Sequence, residues 1–91
     1  MSTIWKVQYT NTAKKQLDAL DASTNRRIRS FLTERIAASE NPRHSGKALK
    51  GSELQGLWRY RVGDYRILCE IQDEKLIILA GAIGHRREIY R

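Results

Sequence analysis

Apolar and polar residues alternate near the start of the chain, where "TIWKVQYT" covers residues 3–10. Trp5, Val7 and Tyr9 fall on one side of this run, and Ile4 and Lys6 fall on the other. Such alternation is typical of a short β-strand with one buried face. We therefore predict an N-terminal strand.

Two stretches with helical spacing follow with almost no linker between them. Residues 10–12 offer a cap for the first helix, whose apolar side comprises Ala13, Leu17 and Leu20. Asp21 or Ser23 can cap the second helix, whose apolar stripe comprises Ile28, Phe31, Leu32 and Ile36. Because the residue before a proline disfavours the helical conformation, Pro42 predicts that this helix ends near residues 39–41.

The outer side of the second helix is strongly basic and comprises Arg26, Arg27, Arg29, Glu34 and Arg35. The default interpretation of such a side is a solvated helix surface. Contact with a partner is the alternative.

The pattern of the second half of the chain predicts a long connection followed by three strands. Residues 42–56 contain three of the six glycines and the only proline, and they show no clean period, although Ala48 and Leu49 can anchor the middle. Three strand-like runs then appear at 57–62, 65–71 and 75–84. We predict one α+β domain over residues 1–91, with a strand, a two-helix hairpin and a three-stranded antiparallel meander, the helices packing on one face of the sheet.

The hairpin "GLWRYRVGDYRILCEI" carries the most specific prediction. A two-residue loop at Gly63-Asp64 fits a type II′ turn and sets Arg61 opposite Arg66 and Arg59 opposite Leu68. The same register sets Val62 opposite Tyr65 and Tyr60 opposite Ile67. Alternation sends the apolar residues, Trp58 and Cys69 included, to the helix side, and it sends the three arginines to a face that meets solvent or a ligand.

These three arginines are the first candidate site. Like charges directly opposite each other destabilise a sheet by about 0.2–1 kcal/mol, and an anion between them would reverse the effect. Arginine offers phosphate a rigid fork of donors, so the pattern favours a phosphate clamp. The alternative is that the arginines form surface ion pairs with Glu70, Glu74 or Glu88.

The basic tail "GHRREIYR" adds two titratable groups. If the last strand ends near Ile83, the tail can return to the rim of the arginine-bearing face and bring His85 and Tyr90 close to a bound phosphate. Histidine both takes and gives protons near neutral pH, whereas tyrosine donates more readily than it accepts.

Composition narrows the classes of partner and chemistry. The chain has 17 Lys and Arg against 10 Asp and Glu, a net charge of +7 on 91 residues, so we expect a phosphate-rich or acidic partner. Cys69 is the only cysteine and no Cys/His pattern suits zinc, so we expect no disulfide, metal or cofactor. No run suits a membrane span or a signal peptide, which predicts a cytoplasmic protein without membrane contact.

The segment "LKGSELQGLWRYRVGDYRILCEI", the apolar strand after it and "GHRREIY" resemble the RelE branch of the RelE/ParE toxin superfamily, over nearly the whole chain. The resemblance implies the RelE-like, microbial RNase-type fold. It also implies a type II toxin that enters the ribosomal A site and cuts mRNA by attack of the ribose 2′-OH on the adjacent phosphorus. It further implies a cognate antitoxin as partner and operator DNA binding only through the antitoxin complex.

The resemblance also implies site residues. The catalytic candidates are Arg61, Arg66, Arg86, Tyr90 and His85, and the RNA-binding candidates are Arg59, Arg61, Arg87 and Lys50. Some relatives have lysine at the positions of Arg59 and Arg61, and a lysine can act as a base whereas an arginine stays protonated. We therefore expect Arg59 and Arg61 to act electrostatically. His85 or Tyr90 would transfer a proton, together with groups of the ribosome.

Two other functions remain open at this point. The first is a ParE-like poison of DNA gyrase, which would share the fold and need no proton-transfer residues. The second is a degenerate basic domain that only binds its antitoxin and DNA. If the protein is a toxin of either branch, its basic surface predicts an antitoxin with an acidic, partly disordered segment.

Overall fold

A computed structural model describes residues 5–49 and 56–87. Its helices are α1 (Asn11–Asp18) and α2 (Ala22–Ser30), and α2 continues into a π-helical segment, Phe31–Ile36. Its strands are β1 (Lys6–Tyr9), β2 (Lys47–Ala48), β3 (Leu57–Val62), β4 (Tyr65–Gln72) and β5 (Ile77–His85). The sheet has the order β1-β5-β4-β3-β2. The predicted α+β class, with helices on one face of the sheet, is confirmed.

Both helices begin where the sequence predicts. The Thr10 hydroxyl oxygen accepts a hydrogen bond from the amide of Ala13 at 3.1 Å, and the Asp21 carboxylate accepts one from the amide of Thr24 at 3.1 Å. Hydrogen bonds from Thr24 hold the pKa of the Asp21 carboxyl below its usual value. Each cap satisfies an amide that the first turn of a helix leaves unpaired.

The second helix ends earlier than predicted. Ile28, Leu32 and Ile36 of its stripe are fully buried, but the π-helical segment stops at Ile36 rather than near residues 39–41. Beyond this end the chain reaches Pro42, which is fully buried and whose carbonyl accepts a 2.6 Å hydrogen bond from the Tyr60 hydroxyl.

The β3–β4 hairpin has the predicted register. Arg61 lies opposite Arg66, and the other three predicted pairs are also present. Gly63 has a φ of +60°, whereas Asp64 has no positive φ, as a type II′ turn requires. The arginine-bearing side, called the arginine face below, therefore lies opposite the helices.

Two strand pairings were not predicted. β1 runs parallel to β5, which makes the sheet mixed and extends the meander. Within the region that was interpreted only as a connection, Lys47 and Ala48 form the two-residue strand β2 against β3, and the amide of Leu49 donates to the carbonyl of Leu57 at 3.0 Å. A strand of two residues is too short to produce an alternating pattern, so the sequence does not predict it.

A β-bulge interrupts the pairing of β4 with β5. Cys69 pairs with Ala80, but Leu68 pairs with Ala82, so Gly81 is an extra residue in β5. A single extra residue reverses the faces of every later side chain on the strand. The residues of β5 after the bulge therefore alternate in the opposite sense to those before it.

The core lies between the sheet and the helices. Its largest fully buried side chains are Tyr60, Leu17, Ile28, Leu32, Ile36, Ile67, Ile78, Pro42 and Cys69. Burial raises the pKa of the Cys69 thiol to about 12, in accord with a small buried hydrophobe rather than a nucleophile. Among the described residues, no helix is long and apolar enough to span a membrane.

Candidate RNA-binding site on the sheet

The central pair of the arginine face is asymmetric. Arg61 is exposed, whereas Arg66 is only 8% exposed. Nη1 of Arg66 donates to the carbonyl of Gly63 at 3.2 Å and to that of Tyr65 at 3.1 Å. Arg66 has the predicted register, but its side chain is largely shielded from solvent, because the carbonyls of the turn contact its guanidinium. One arginine is therefore hydrogen-bonded to the turn, and its partner is exposed to solvent.

Arg59 lies deeper along the same face. It pairs with Leu68 on one side and with Lys47 on the other, and its side chain is half-buried. Its Nε is sealed from solvent and has no hydrogen-bond partner within residues 5–49 and 56–87. Two neighbouring strands thus carry cationic residues side by side at Lys47 and Arg59.

Acidic side chains do not neutralise these arginines within the described part of the chain. The single salt bridge found there joins Arg43 to Asp73 at 2.6 Å, away from the arginine face. Glu70 instead accepts a 2.7 Å hydrogen bond from the side chain of Gln72. Ion pairs of the arginines with Glu70 or Glu74 are therefore not formed, and Glu88 lies outside the described residues.

The end of β5 separates two residues that were expected to act together. Arg86 follows the strand directly, is exposed, and donates from its amide to the carbonyl of Asp64 at 2.8 Å, so it lies beside the hairpin turn. His85 is still in the strand, opposite Tyr65, and the two rings meet edge to face at 5.8 Å. Because Tyr65 packs against the core, His85 lies on the helix side of the sheet.

This position corrects the expectation that His85 sits on a tail returning to the arginine face. The strand continues two residues beyond Ile83, and the bulge at Gly81 reverses the alternation. Nδ1 of His85 also accepts a 3.3 Å hydrogen bond from the amide of Arg87, whose side chain is exposed. The candidates Tyr90 and Lys50 lie outside the described residues.

The aromatic residues of the hairpin behave as predicted. Tyr60 is fully buried, and Trp58 packs against the core with its outer side under the guanidinium of Arg43, 5.7 Å from the ring centroid. Burial raises the pKa of the Tyr60 phenol well above its usual value. Neither ring is a base-stacking platform on the arginine face.

A basic cleft beside the turn was not predicted as a site. It has a volume of about 370 Å³, it lies between α2, the π-helical segment and the end of β3, and its arginines are Arg27, Arg35 and Arg61. The sequence shows that the outer side of α2 is basic, but it does not show that this side lies next to Arg61 in the fold. Among the described residues, no group of three His, Cys, Asp or Glu side chains is placed to hold a metal ion.

Known proteins resemble this chain in sequence and in fold. The model of the family described as ParE toxin of type II toxin-antitoxin system matches residues 7–90. Toxin RelG of Mycobacterium tuberculosis is 32% identical over 87 residues, which are 96% of this chain and 97% of that protein. The toxin-antitoxin complex RelBE2 of the same organism contains a chain that is 26% identical, with a TM-score of 0.83 and coverage of 97% of this chain and 98% of that one.

The fold also recurs at lower identity. The isolated Escherichia coli RelE toxin is 19% identical, with a TM-score of 0.69 and coverage of 94% of this chain and 90% of that one. The resemblance seen in the hairpin and the tail is thus supported by family, relative and fold together. The chain belongs to the RelE/ParE superfamily of type II toxin-antitoxin toxins, on its RelE-type branch.

Proposed function

We propose that this toxin is a ribosome-dependent endoribonuclease that cuts mRNA in the A site and so inhibits translation. The observation that carries the proposal is the Arg61–Arg66 pair, in which two arginines occupy directly opposite positions of the hairpin with no carboxylate in ion-pairing range among the described residues. Such an arrangement is unfavourable on its own and becomes favourable when a phosphate lies between the two groups.

The reaction needs positive charge where negative charge develops. Attack of the ribose 2′-OH on phosphorus forms a phosphorane-like transition state whose equatorial oxygens are more negative than those of the ground state. Arg66 is held in place by two carbonyls, so its donors need no reorganisation during the reaction. Arg61 and Arg86 are exposed beside it and can close on the same phosphate.

Proton transfer has to come from elsewhere. The step removes a proton from the 2′-OH, breaks the bond from phosphorus to the 5′ oxygen and returns a proton to that oxygen, which leaves a cyclic phosphate and a 5′-OH. Arginines stay protonated and cannot accept the first proton. Because His85 lies on the helix side, we assign the proton steps to Tyr90 or to groups of the ribosome.

The partner that restrains this activity is a cognate antitoxin, as the complex structures of similar toxins support. We propose that its binding segment is acidic and partly disordered, because the toxin carries a net charge of +7. Operator DNA would then be bound only through the complex of the two proteins.

The second candidate function is ParE-like poisoning of DNA gyrase, which we keep because the matching family model is described as that of a ParE toxin. Brief expression of the toxin, followed by mapping of mRNA 5′ ends and an assay of plasmid supercoiling, separates the two. We expect cuts in phase with codons and unchanged supercoiling. Altered supercoiling with intact mRNA would replace the nuclease proposal by gyrase poisoning.

Variants connect the activity to the site. Arg66→Gln should reduce cleavage on purified ribosomes by about 10²–10³-fold, the usual effect of losing one preorganised donor to a transition state. Lys75→Gln removes the same charge from an exposed turn outside the arginine face and should cut at the wild-type rate. His85→Ala should lose no more than a few-fold. Equal loss in Arg66→Gln and Lys75→Gln would show that only the total charge matters.

A further inference from the structure

The cleft between α2 and the end of β3, called the α2 cleft below, holds three arginines that the proposed reaction does not fully use. Arg27 and Arg35 belong to the helical side, and Arg61 belongs to the strand. All three are exposed, and no carboxylate lies within salt-bridge distance of them among the described residues. Three guanidinium groups around one concave space form a site for an anion with several oxygens.

Arg61 joins this cleft to the arginine face. β2 pairs with β3 only at Arg59 and Trp58, so the edge of β3 beyond these residues has no neighbouring strand in the described structure. Arg61 lies at this open edge, opposite Arg66 on one side and lining the α2 cleft on the other. A chain of phosphates held between Arg61 and Arg66 can therefore pass round the edge without crossing a strand.

The other residues of the cleft favour RNA over an acidic peptide. Phe31 packs against the core with its ring edge to face with that of Tyr60 at 6.3 Å, but it is only half-buried and also lines the cleft. A basic groove with an aromatic ring is the usual composition of a site for single-stranded nucleic acid. Glu34 also lines the cleft. Its carboxylate repels phosphates and carboxylates alike, but it can accept hydrogen bonds from a ribose 2′-OH or a base, which the side chains of an acidic peptide do not supply.

We propose that the α2 cleft is a second RNA-binding site, which takes the phosphodiester backbone of the same strand that the arginine face holds at its reacting phosphate. The inference rests on the proposed function for the identity of that strand. Ser23, Arg26 and Ser30 continue the surface along α2 from Arg27 and extend the track by further polar and cationic groups.

Binding to a fluorescein-labelled 12-nucleotide uridine RNA tests this site in the absence of ribosomes. Each arginine that neutralises a phosphate of a single strand contributes about 0.7 to the slope of log K against log salt concentration. The double variant Arg27→Gln/Arg35→Gln should therefore reduce that slope by about 1.4 and weaken binding about 25-fold at 0.1 M salt. Arg35→Gln alone should show about half the change in slope and a loss of about fivefold.

The matched control is Lys14→Gln/Lys15→Gln, which removes two charges from exposed positions of the neighbouring helix α1. It should bind the RNA like the wild type, and gel electrophoresis should show the RNA intact throughout. An equal loss of affinity in both double variants would overturn the proposal, because the effect would then be one of net charge. An unchanged affinity of Arg27→Gln/Arg35→Gln would overturn it as well.

Binding of a glutamate-rich peptide of the same length tests the alternative ligand. If the cleft variant loses the peptide but keeps the RNA, the cleft binds an acidic protein segment and the proposal is wrong. The mapping of mRNA 5′ ends described above tests the nuclease separately. If the toxin binds RNA through the α2 cleft but leaves mRNA uncut, only the proposed nuclease activity is refuted. If the toxin cuts mRNA and its cleft variants bind and cut normally, only the proposed RNA-binding site in the cleft is refuted.

Discussion

Removing the charge of Arg61 should stabilise the folded protein while it abolishes the activity. Arg61 lies directly opposite Arg66, and no carboxylate among the described residues lies within salt-bridge distance of either. Like charges at such positions destabilise a sheet by about 0.2–1 kcal/mol. We expect Arg61→Gln to raise the free energy of unfolding by that amount, which corresponds to roughly 1–8 °C in the melting temperature of a domain of this size.

Salt and a charge-conserving variant separate repulsion from other causes. The screening length falls from about 10 Å at 0.1 M salt to about 3 Å at 1 M, and Arg61 is exposed, so most of the gain should vanish at 1 M. Arg61→Lys keeps the charge and should melt with the wild type. Urea unfolding at both salt concentrations measures the effect. A less stable Arg61→Gln, or a gain that is the same at 1 M salt, would refute the reasoning.

Three further predictions concern the core and the bulge. Tyr60→Phe should lower the free energy of unfolding by about 1–3 kcal/mol in urea, since it leaves the buried carbonyl of Pro42 unpaired, whereas Tyr65→Phe should change it by less than about 0.5 kcal/mol. The raised pKa of Cys69 means that stability falls as pH rises from about 9 toward 12, where only the unfolded thiol ionises, and Cys69→Ala should reduce this slope by up to about 1.4 kcal/mol per pH unit. Gln16→Ala, which removes the acceptor of a β5 amide, should melt earlier than the wild type and cut mRNA more slowly.

Local chemistry made much of the fold predictable. A Gly-Asp pair between two alternating runs determines a turn, the turn determines the register, and the register determines that Arg61 faces Arg66. The caps at Thr10 and Asp21 are equally local, because each satisfies an amide within three residues. Such features need no knowledge of the rest of the chain, so the sequence is sufficient to predict them.

Features that depend on distant contacts could not be predicted. The parallel pairing of β1 with β5 joins Val7 to Ile78, and neither segment alone contains a signal for the other. The α2 cleft likewise forms only because the fold brings Arg27 of the helix close to Arg61 of the strand. Burial of Arg66 depends on how the turn folds over its guanidinium, and alternation alone predicts only the face.

The face on which His85 lies shows how one residue changes the functional interpretation. Ile78 and Ala80 point to the core, and uninterrupted alternation would place His85 on the arginine face and Arg86 on the helix side. The bulge at Gly81 exchanges the two. The rim of the arginine face therefore gains a cation rather than a proton-transfer group, in keeping with the proposed site, which would stabilise charge and take its protons from elsewhere.

Helix α1 maintains this exchange. A bulge leaves backbone groups without ladder partners, and two side chains of α1 and its cap supply them: the Thr10 hydroxyl donates to the carbonyl of Gly81 at 3.0 Å, and the Gln16 side chain accepts from the amide of Ile83 at 2.6 Å. We expect the loss of either contact to favour regular pairing, which would turn Arg86 away from the arginine face. The arginine cluster thus depends on polar residues on the opposite side of the sheet, and their hydrogen bonds connect the helical layer to the proposed chemistry.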